Sequence, residues 1–309
     1  MTEKTPHPHQ DQVILGVIHG LLAFFLLAIM SVCSKLLSET HHVAEVVFYR
    51  NIIAFIPLAI YIAATRKTHI LKTAKPLMMF GRVIVGTIGL LLTFAAWQYL
   101  PLSDATVIFF TATLLAPALS FFFLKEHVGI YRWAAILIGF FGVILMAAPS
   151  GETKIIGIMI AFAAAFMHAW IHLFLRILKT ESPLTVTFYF FLGGFLIPGL
   201  FLPFIARMPQ PDEWLLFLGL GISGGVAQYY LTSAFQKGPI AIIAPLNYTG
   251  LIWATGFDIL IWNYVPGWPV FLGGAIIISS NLFIIYREQK LKSSSRIEQA
   301  SQNKKEETS

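Results

Sequence analysis

The chain has 309 residues, of which 57% are hydrophobic and only 12% charged, and its mean hydropathy is +0.76. A soluble domain carries roughly a quarter charged residues, so that class is excluded. The net charge of +6 does not indicate nucleic-acid binding, because the basic residues fall in connectors and in the C-terminal tail.

Residues 1–12 are acidic and His-rich, unlike the basic start of a signal peptide. The apolar run that follows is too long for a signal h-region and reads as a retained first helix. Stretches free of Asp, Glu, Lys and Arg cover Val13–Ser34, Val83–Ser103, Ala105–Leu124, Ile155–Leu175, Ser182–Ala206 and Trp214–Gln236. Each approaches the roughly 20 residues that cross a bilayer core as a helix. They lack polar/apolar alternation, and backbone groups in lipid must be satisfied within the segment, so helices are predicted rather than strands.

In chain order the expected spans are Ile14–Ser34, Ala44–Ala64, Leu77–Gln98, Asp104–Leu124, Tyr131–Ala148, Ile155–Leu175, Pro183–Ile205, Glu213–Phe235, Ile240–Trp262 and Gly267–Tyr286. Connectors such as Leu100-Pro101, Pro149-Ser150-Gly151, Pro209-Gln210-Pro211, Lys237-Gly238-Pro239 and Pro266-Gly267 carry turn chemistry. Residues 288–309 are polar and poor in aromatics and are expected to form a disordered cytoplasmic tail. The lone Cys33 excludes an intrachain disulfide.

With a cytoplasmic N-terminus, sixteen Lys and Arg fall on the inner side and only Lys35, Lys154 and Arg207 on the outer. That bias predicts an even number of spans with both termini cytoplasmic in a bacterial inner membrane. The halves also resemble each other. Setting Gly16 against Gly157 pairs Ala23 with Ala164, Phe25 with Phe166, Ala28 with Ala169 and Lys35 with Arg176. Further on, Pro101, Thr111 and Ala116 fall against Pro239, Thr249 and Ala254. The expected fold is an all-α integral membrane protein of ten transmembrane helices in two inverted five-helix repeats, residues 14–148 and 155–287. Such repeats build many secondary transporters, with the substrate near the midplane at the repeat interface.

Several motifs carry a family resemblance. They are Phe48-Tyr49-Arg50-Asn51, Gly81-Arg82, Tyr99-Leu100-Pro101-Leu102-Ser103-Asp104-Ala105, Leu124-Lys125-Glu126 and Gly139-Phe140-Phe141-Gly142-Val143 in the first half. Ala244-Pro245-Leu246-Asn247-Tyr248 and Trp253-Ala254 follow in the second. The chain resembles the drug/metabolite transporter superfamily, in its EamA-type ten-helix branch, from about Ile14 to Arg287. The resemblance implies uptake or export of amino acids, nucleotide-like metabolites, vitamins or their conjugates without ATP hydrolysis. The chain departs from the family at Asn263, where the second repeat usually has a Glu like Glu126.

Arg50 lies inside the second span, where a charge costs about 2.5–3.5 kcal/mol on insertion scales. Its repeat counterpart is Phe190, so the fold does not require a cation there. Either the guanidinium binds a substrate carboxylate or phosphate by bidentate hydrogen bonds, or it snorkels outward or pairs with Asp104 or Glu45. Arg82, nearer the inner end of its helix, is expected to snorkel to headgroups.

His168 and His172 share a helix face. The Glu of a zinc-protease helix is absent between them, so no metal site is expected and they are read as an interhelical hydrogen bond, or as a proton relay or polar lining. Asp258 is left with three readings: pairing with Arg50, proton coupling, or a carboxylate facing water. Trp97, Gln98, Thr111, Gln228, Tyr229, Asn247, Tyr248 and Trp253 form the remaining candidate substrate set, since ligand pockets combine apolar and aromatic walls with few polar groups. Glu126 is read as an ion-pair partner of Lys125 or Arg132. The glycine pairs lack the Lys and the preceding strand of a phosphate loop and are read as close helix contacts.

The expected activity is secondary transport of a small zwitterionic or anionic metabolite, amino-acid-like or S-adenosylmethionine-like. A vitamin or drug/metabolite exporter is the alternative. A lipid-modifying enzyme is disfavoured because no paired acids or nucleophile–base set stands at usable spacing. No cofactor is expected, the partners are a small-molecule substrate and the bilayer, and a homodimer is left open.

Overall fold

The computed structural model describes residues 8–66, 68–124, 130–147, 152–178, 180–237 and 240–306, and every regular element among them is helical. The first half comprises α1 (Pro8–Leu37), α2 (Val43–Thr65), α3 (Pro76–Tyr99), α4 (Leu102–Phe109), α5 (Thr111–Leu124) and α6 (Ile130–Ala147). The second comprises α7 (Glu152–Ile177), α8 (Pro183–Gly199), the single turn α9 (Leu202–Ile205), α10 (Glu213–Lys237), the turn α11 (Ile240–Ile243), α12 (Thr249–Trp262) and α13 (Trp268–Glu306).

Local chemistry sets the ends. Pro76 and Pro183 open α3 and α8 at the first helical positions, where a missing N–H costs nothing. His42 caps α2 by accepting from the Ala44 N–H at 3.2 Å. Asn263 closes α12 in the left-handed region, at φ 51°. Asn tolerates that conformation better than Glu does, which gives the departure from the family's glutamate a structural reason.

Among the described residues, seven helical stretches are long and apolar enough to cross a membrane: Gln12–Leu37, Val43–Thr65, Pro76–Tyr99, Leu102–Phe123, Lys154–Ile177, Glu213–Leu231 and Trp268–Arg287. Trp133–Met146 and Pro183–Gly199 are apolar but shorter. Three expected spans are interrupted along their length, the fourth within a stretch that is still long enough to cross. The fourth breaks at Phe110, between α4 and α5. The seventh stops at Gly199, just after Pro198, and resumes only as the turn α9. The ninth divides into α11, a 3₁₀ turn over Ala244–Tyr248, and α12. Pro245, which has no N–H to donate, lies in that turn. At the other end, α13 continues as helix to Glu306, where the sequence suggests a disordered tail.

Packing is reciprocal between the halves. α1 lies against α10, α3 against α7, α2 against α8, α4 against α12, and α6 against α13. The last pair meets at two glycines: a Cβ on Gly273 would stand 2.5 Å from the Gly142 carbonyl oxygen. Leu77, Leu137, Leu200, Phe204 and Leu260 are exposed. So broad an apolar surface suits lipid and not water. The chain is a multi-pass membrane protein.

Candidate functional site

The breaks in the fourth and ninth spans face one another. Phe110, at the first break, meets Tyr248, at the second, ring edge to ring face with centroids 5.0 Å apart. At the breaks, side chains add to the backbone bonds that the carbonyls already accept. Thr111 Oγ1 donates to Ile108 O at 2.7 Å, Thr249 Oγ1 to Leu246 O at 2.6 Å, and Asn281 Nδ2 to Phe110 O at 3.3 Å. Interrupted helices at matching positions of two halves mark the substrate region in many transporters.

Two arginines lie buried against α8, on the ring of Phe190. Arg50 on α2 is 3% exposed and Arg82 on α3 is 6% exposed. Arg50 Nη1 donates to Asn51 Oδ1 at 2.9 Å, and Nη2 makes a long 3.5 Å contact to Gly224 O. Asn51 is itself held by Nδ2 donations to Val47 O and Gly194 O. The Arg50 Cζ lies 5.6 Å from the Phe190 ring centroid and 5.2 Å from that of Phe191. Arg82 Cζ lies 4.7 Å from the same Phe190 ring. The two Cζ atoms are therefore separated by no more than the sum of their distances to that centroid, about 10 Å. Like charges at such a spacing repel by roughly 2 kcal/mol at an effective dielectric of about 20.

No carboxylate offsets that repulsion. Among the described residues, the salt bridges join His41 to Glu45 and Glu213, and Lys154 to Asp104. Arg50 Nε, Arg82 Nε, Arg82 Nη1, Thr87 Oγ1 and Trp97 Nε1 are buried without a hydrogen-bond partner. His168 and His172 on α7 lie in the electrostatic field of Arg82, and His168 Nε2 is 3.1 Å from Thr93 Oγ1. Buried groups of this kind call for a ligand, since an unsatisfied charge in low dielectric is costly.

Arg82 overturns its expected reading. Its Nη1 lies where a Cβ on Gly86 would sit, 2.1 Å away, one turn deeper along α3. Snorkelling to the near interface would send the side chain toward Pro76 instead, as helical side chains ordinarily lean. The guanidinium points inward because Gly86 leaves room and Phe190 offers a ring face.

A cleft of about 750 Å³ runs between α2, α8 and α10. Ala54, Phe191 and Gly225 form its wall nearest Arg50, and Tyr61, Pro183, Gln228, Tyr229 and Ser233 line the rest. Tyr229 is 64% exposed into this space. Glycine carries the approach here: a Cβ on Gly221 would lie 2.5 Å from Ile53, and one on Gly224 would lie 3.0 Å from Arg50 Nε.

The other expected residues divide. Trp97 stacks on Phe94 at 5.3 Å with its Nε1 unpartnered, and Tyr248 and Thr111 sit at the helix breaks. Asn247 shares the 3₁₀ turn with Tyr248. Gln98 is exposed and donates to Ser38 O at 3.0 Å, which ties α3 to the α1–α2 turn away from the arginines. Trp253 is partly exposed and packs edge-on against Phe25 of α1. His172 is exposed, and no group of three metal-binding side chains exists among the described residues. Lys125 and Glu126 lie outside the described residues, as does the side chain of Arg132.

Asp258 neither pairs with Arg50 nor faces water. It is 0% exposed and holds no contact with Arg50. Its Oδ1 accepts from Leu102 N at 3.0 Å, and its Oδ2 accepts from Ser103 N at 2.8 Å and Ser103 Oγ at 2.6 Å. A carboxylate of the second half thus caps a helix of the first, where the helix dipole favours negative charge. Beside it, Tyr264 Oη donates to Asp104 at 3.1 Å, and Lys154 Nζ stands 3.5 Å from Asp104. Burial, and then the Asp104 charge, push the Tyr264 phenol above its ordinary range, which keeps it a donor. Lys35 Nζ donates to Leu100 O at 2.8 Å and lies over Trp262.

Sequence reading missed Phe190, Phe191, Thr87 and Gly86. One signal was present: pairing the two halves of the sequence sets Phe190 against Arg50.

Known proteins agree with this architecture. The EamA-like transporter family model matches residues 14–148 and 155–286. An S-adenosylmethionine uptake transporter of Rickettsia conorii is 30% identical over 284 residues, covering 87% of this chain and 93% of that protein. A pseudopaline exporter of Pseudomonas aeruginosa is 26% identical over 275 residues, covering 87% and 95%. A solved crystal structure at 18% identity superposes with a TM-score of 0.60 over 88% of this chain and 96% of that one, a likeness of fold alone. The family model matches twice, its two matches together take in most of the chain, and the chain belongs to the EamA-like transporter family.

Proposed function

We propose that the protein is a secondary transporter for a small zwitterionic or anionic metabolite, amino-acid-like or S-adenosylmethionine-like, and not an enzyme. It works by alternating access in a bacterial inner membrane, with both termini cytoplasmic and ten spans in two inverted five-helix repeats. The reciprocal packing of α1 on α10 and α3 on α7 supports the two-repeat reading, as do the matching breaks at Phe110 and Tyr248. The observation that carries the function is a pair of buried guanidiniums without a carboxylate partner among the described residues. A substrate carboxylate supplies the missing charge through bidentate bonds. Relatives named for S-adenosylmethionine uptake and pseudopaline export agree with a metabolite of this size and polarity.

The test is counterflow of labelled S-adenosylmethionine and labelled amino acids in proteoliposomes. Arg50→Ala is expected to abolish exchange and Arg50→Lys to weaken it. Normal exchange by both variants sinks the carboxylate anchor.

Export is the second reading. In the proposed orientation the cleft is lined by the inner halves of α2, α8 and α10, while the Asp258 cap ties the outer ends of α4 and α12 together. That state loads from the cytoplasm.

A further inference from the structure

We infer that the substrate carries two separate carboxylates, one held by Arg50 and the other by Arg82. The inference rests on the transporter reading above and narrows its substrate class.

Three features lead to a second anionic group. Arg82 is as deeply buried as Arg50 and also lacks a carboxylate among the described residues. Two of its donors, Nε and Nη1, are unpartnered, against one, Nε, on Arg50. Gly86 makes the space that turns Arg82 inward, and its own ring contact is shared with Arg50 through Phe190. One monocarboxylate neutralises one guanidinium and leaves the other buried and bare. Two carboxylates on a short chain neutralise both, and the separation of the guanidiniums, about 10 Å at most, is within reach of a five-carbon dicarboxylate bound end to end. His168 and His172 add no negative charge, and the buried carboxylates of Glu45, Asp104 and Asp258 are engaged elsewhere.

Glutamate and glutamine test this directly, because they differ in one carboxylate and hardly in shape. Thermal unfolding of the purified full chain is followed against each, against S-adenosylmethionine and against glycerol 3-phosphate. Glutamate is expected to stabilise the protein with an apparent affinity about tenfold above glutamine, the worth of one charge-assisted hydrogen-bond pair. Arg82→Gln is expected to erase that preference, and Arg82→Lys, which keeps the charge and guards against a folding defect, to retain part of it. Equal effects of glutamate and glutamine, stabilisation by neither, or stronger binding of glycerol 3-phosphate or S-adenosylmethionine overturn the inference. Counterflow of S-adenosylmethionine that needs Arg50 but tolerates Arg82→Gln would do the same while leaving the transporter reading intact.

Discussion

Thr111 and Thr249 make the same bond in opposite halves of the chain. Each opens a helix just after a break, and each turns its hydroxyl onto the carbonyl three residues earlier, at 2.7 Å to Ile108 and 2.6 Å to Leu246. In lipid a carbonyl released by a broken helix has no water to turn to. Thr111→Val and Thr249→Val are expected to cost about 1 kcal/mol each, the net worth of a hydrogen bond, and Thr111→Ser to cost nothing beyond the lost methyl contact. Thermal unfolding in detergent reads both, and a valine pair as stable as wild type would show the hydroxyls to be idle.

Asp258 ties the halves together by capping α4. Removing it in Asp258→Ala leaves the Leu102 and Ser103 N–H groups without their acceptor, at a cost of about 2 kcal/mol. Asp258→Asn keeps one oxygen acceptor and is expected to lose about half as much in a denaturation series. An alanine variant with unchanged midpoint would reassign the carboxylate to another task.

Phe190 serves two cations. Phe190→Leu is expected to lose about 1–2 kcal/mol for each desolvated guanidinium contact and to raise the transport KM. Phe190→Tyr keeps the ring face and is expected to retain the wild-type KM. Initial uptake rates across a concentration series separate these outcomes, and equal KM values for the leucine and wild-type proteins would remove the ring from the site.

His168 donates to or accepts from Thr93 while standing in the field of Arg82. If it carries the coupling proton, His168→Gln abolishes uptake driven by a pH gradient and leaves counterflow, which needs no gradient, largely intact. Loss of both activities together would make it a packing residue.

Gln98 offers a contrast. Its amide holds Ser38 O at the outer rim, so Gln98→Ala is expected to cost at most about 1 kcal/mol of stability and to leave KM unchanged.

The contrast between Gln98 and Arg82 shows what could be read from the chain. Span positions follow from hydropathy, and the charge bias of the connectors orders them, so the membrane-crossing parts of α1, α2, α3, α7, α10 and α13 were legible to within a few residues, though not the continuation of α13 to Glu306. Breaks were less so. Pro245 announces the second, but nothing local to Phe110 announces the first, which is held by Asn281 from the far end of the chain. Side-chain direction was the larger gap. Arg82 was placed by its distance from a helix end, and its actual path depends on the absent side chain of Gly86 and on a ring more than 100 residues later. Asp258 failed for the same reason: its partners, Leu102 and Ser103, lie in the other half.

The shared ring of Phe190 also bears on biosynthesis. Arg50 and Arg82 enter the membrane with the first half, before α8 and α10 exist to receive them. Until Phe190, Phe191 and the Gly224 carbonyl arrive, Arg50 has Asn51 Oδ1 of its own helix, and reaching for headgroups is the further way to lower an insertion cost of about 2.5–3.5 kcal/mol. The nascent first half is thus held in a provisional arrangement, with its arginines turned to the membrane surfaces. Insertion of the second half draws them inward, so the act that completes the fold also charges the site.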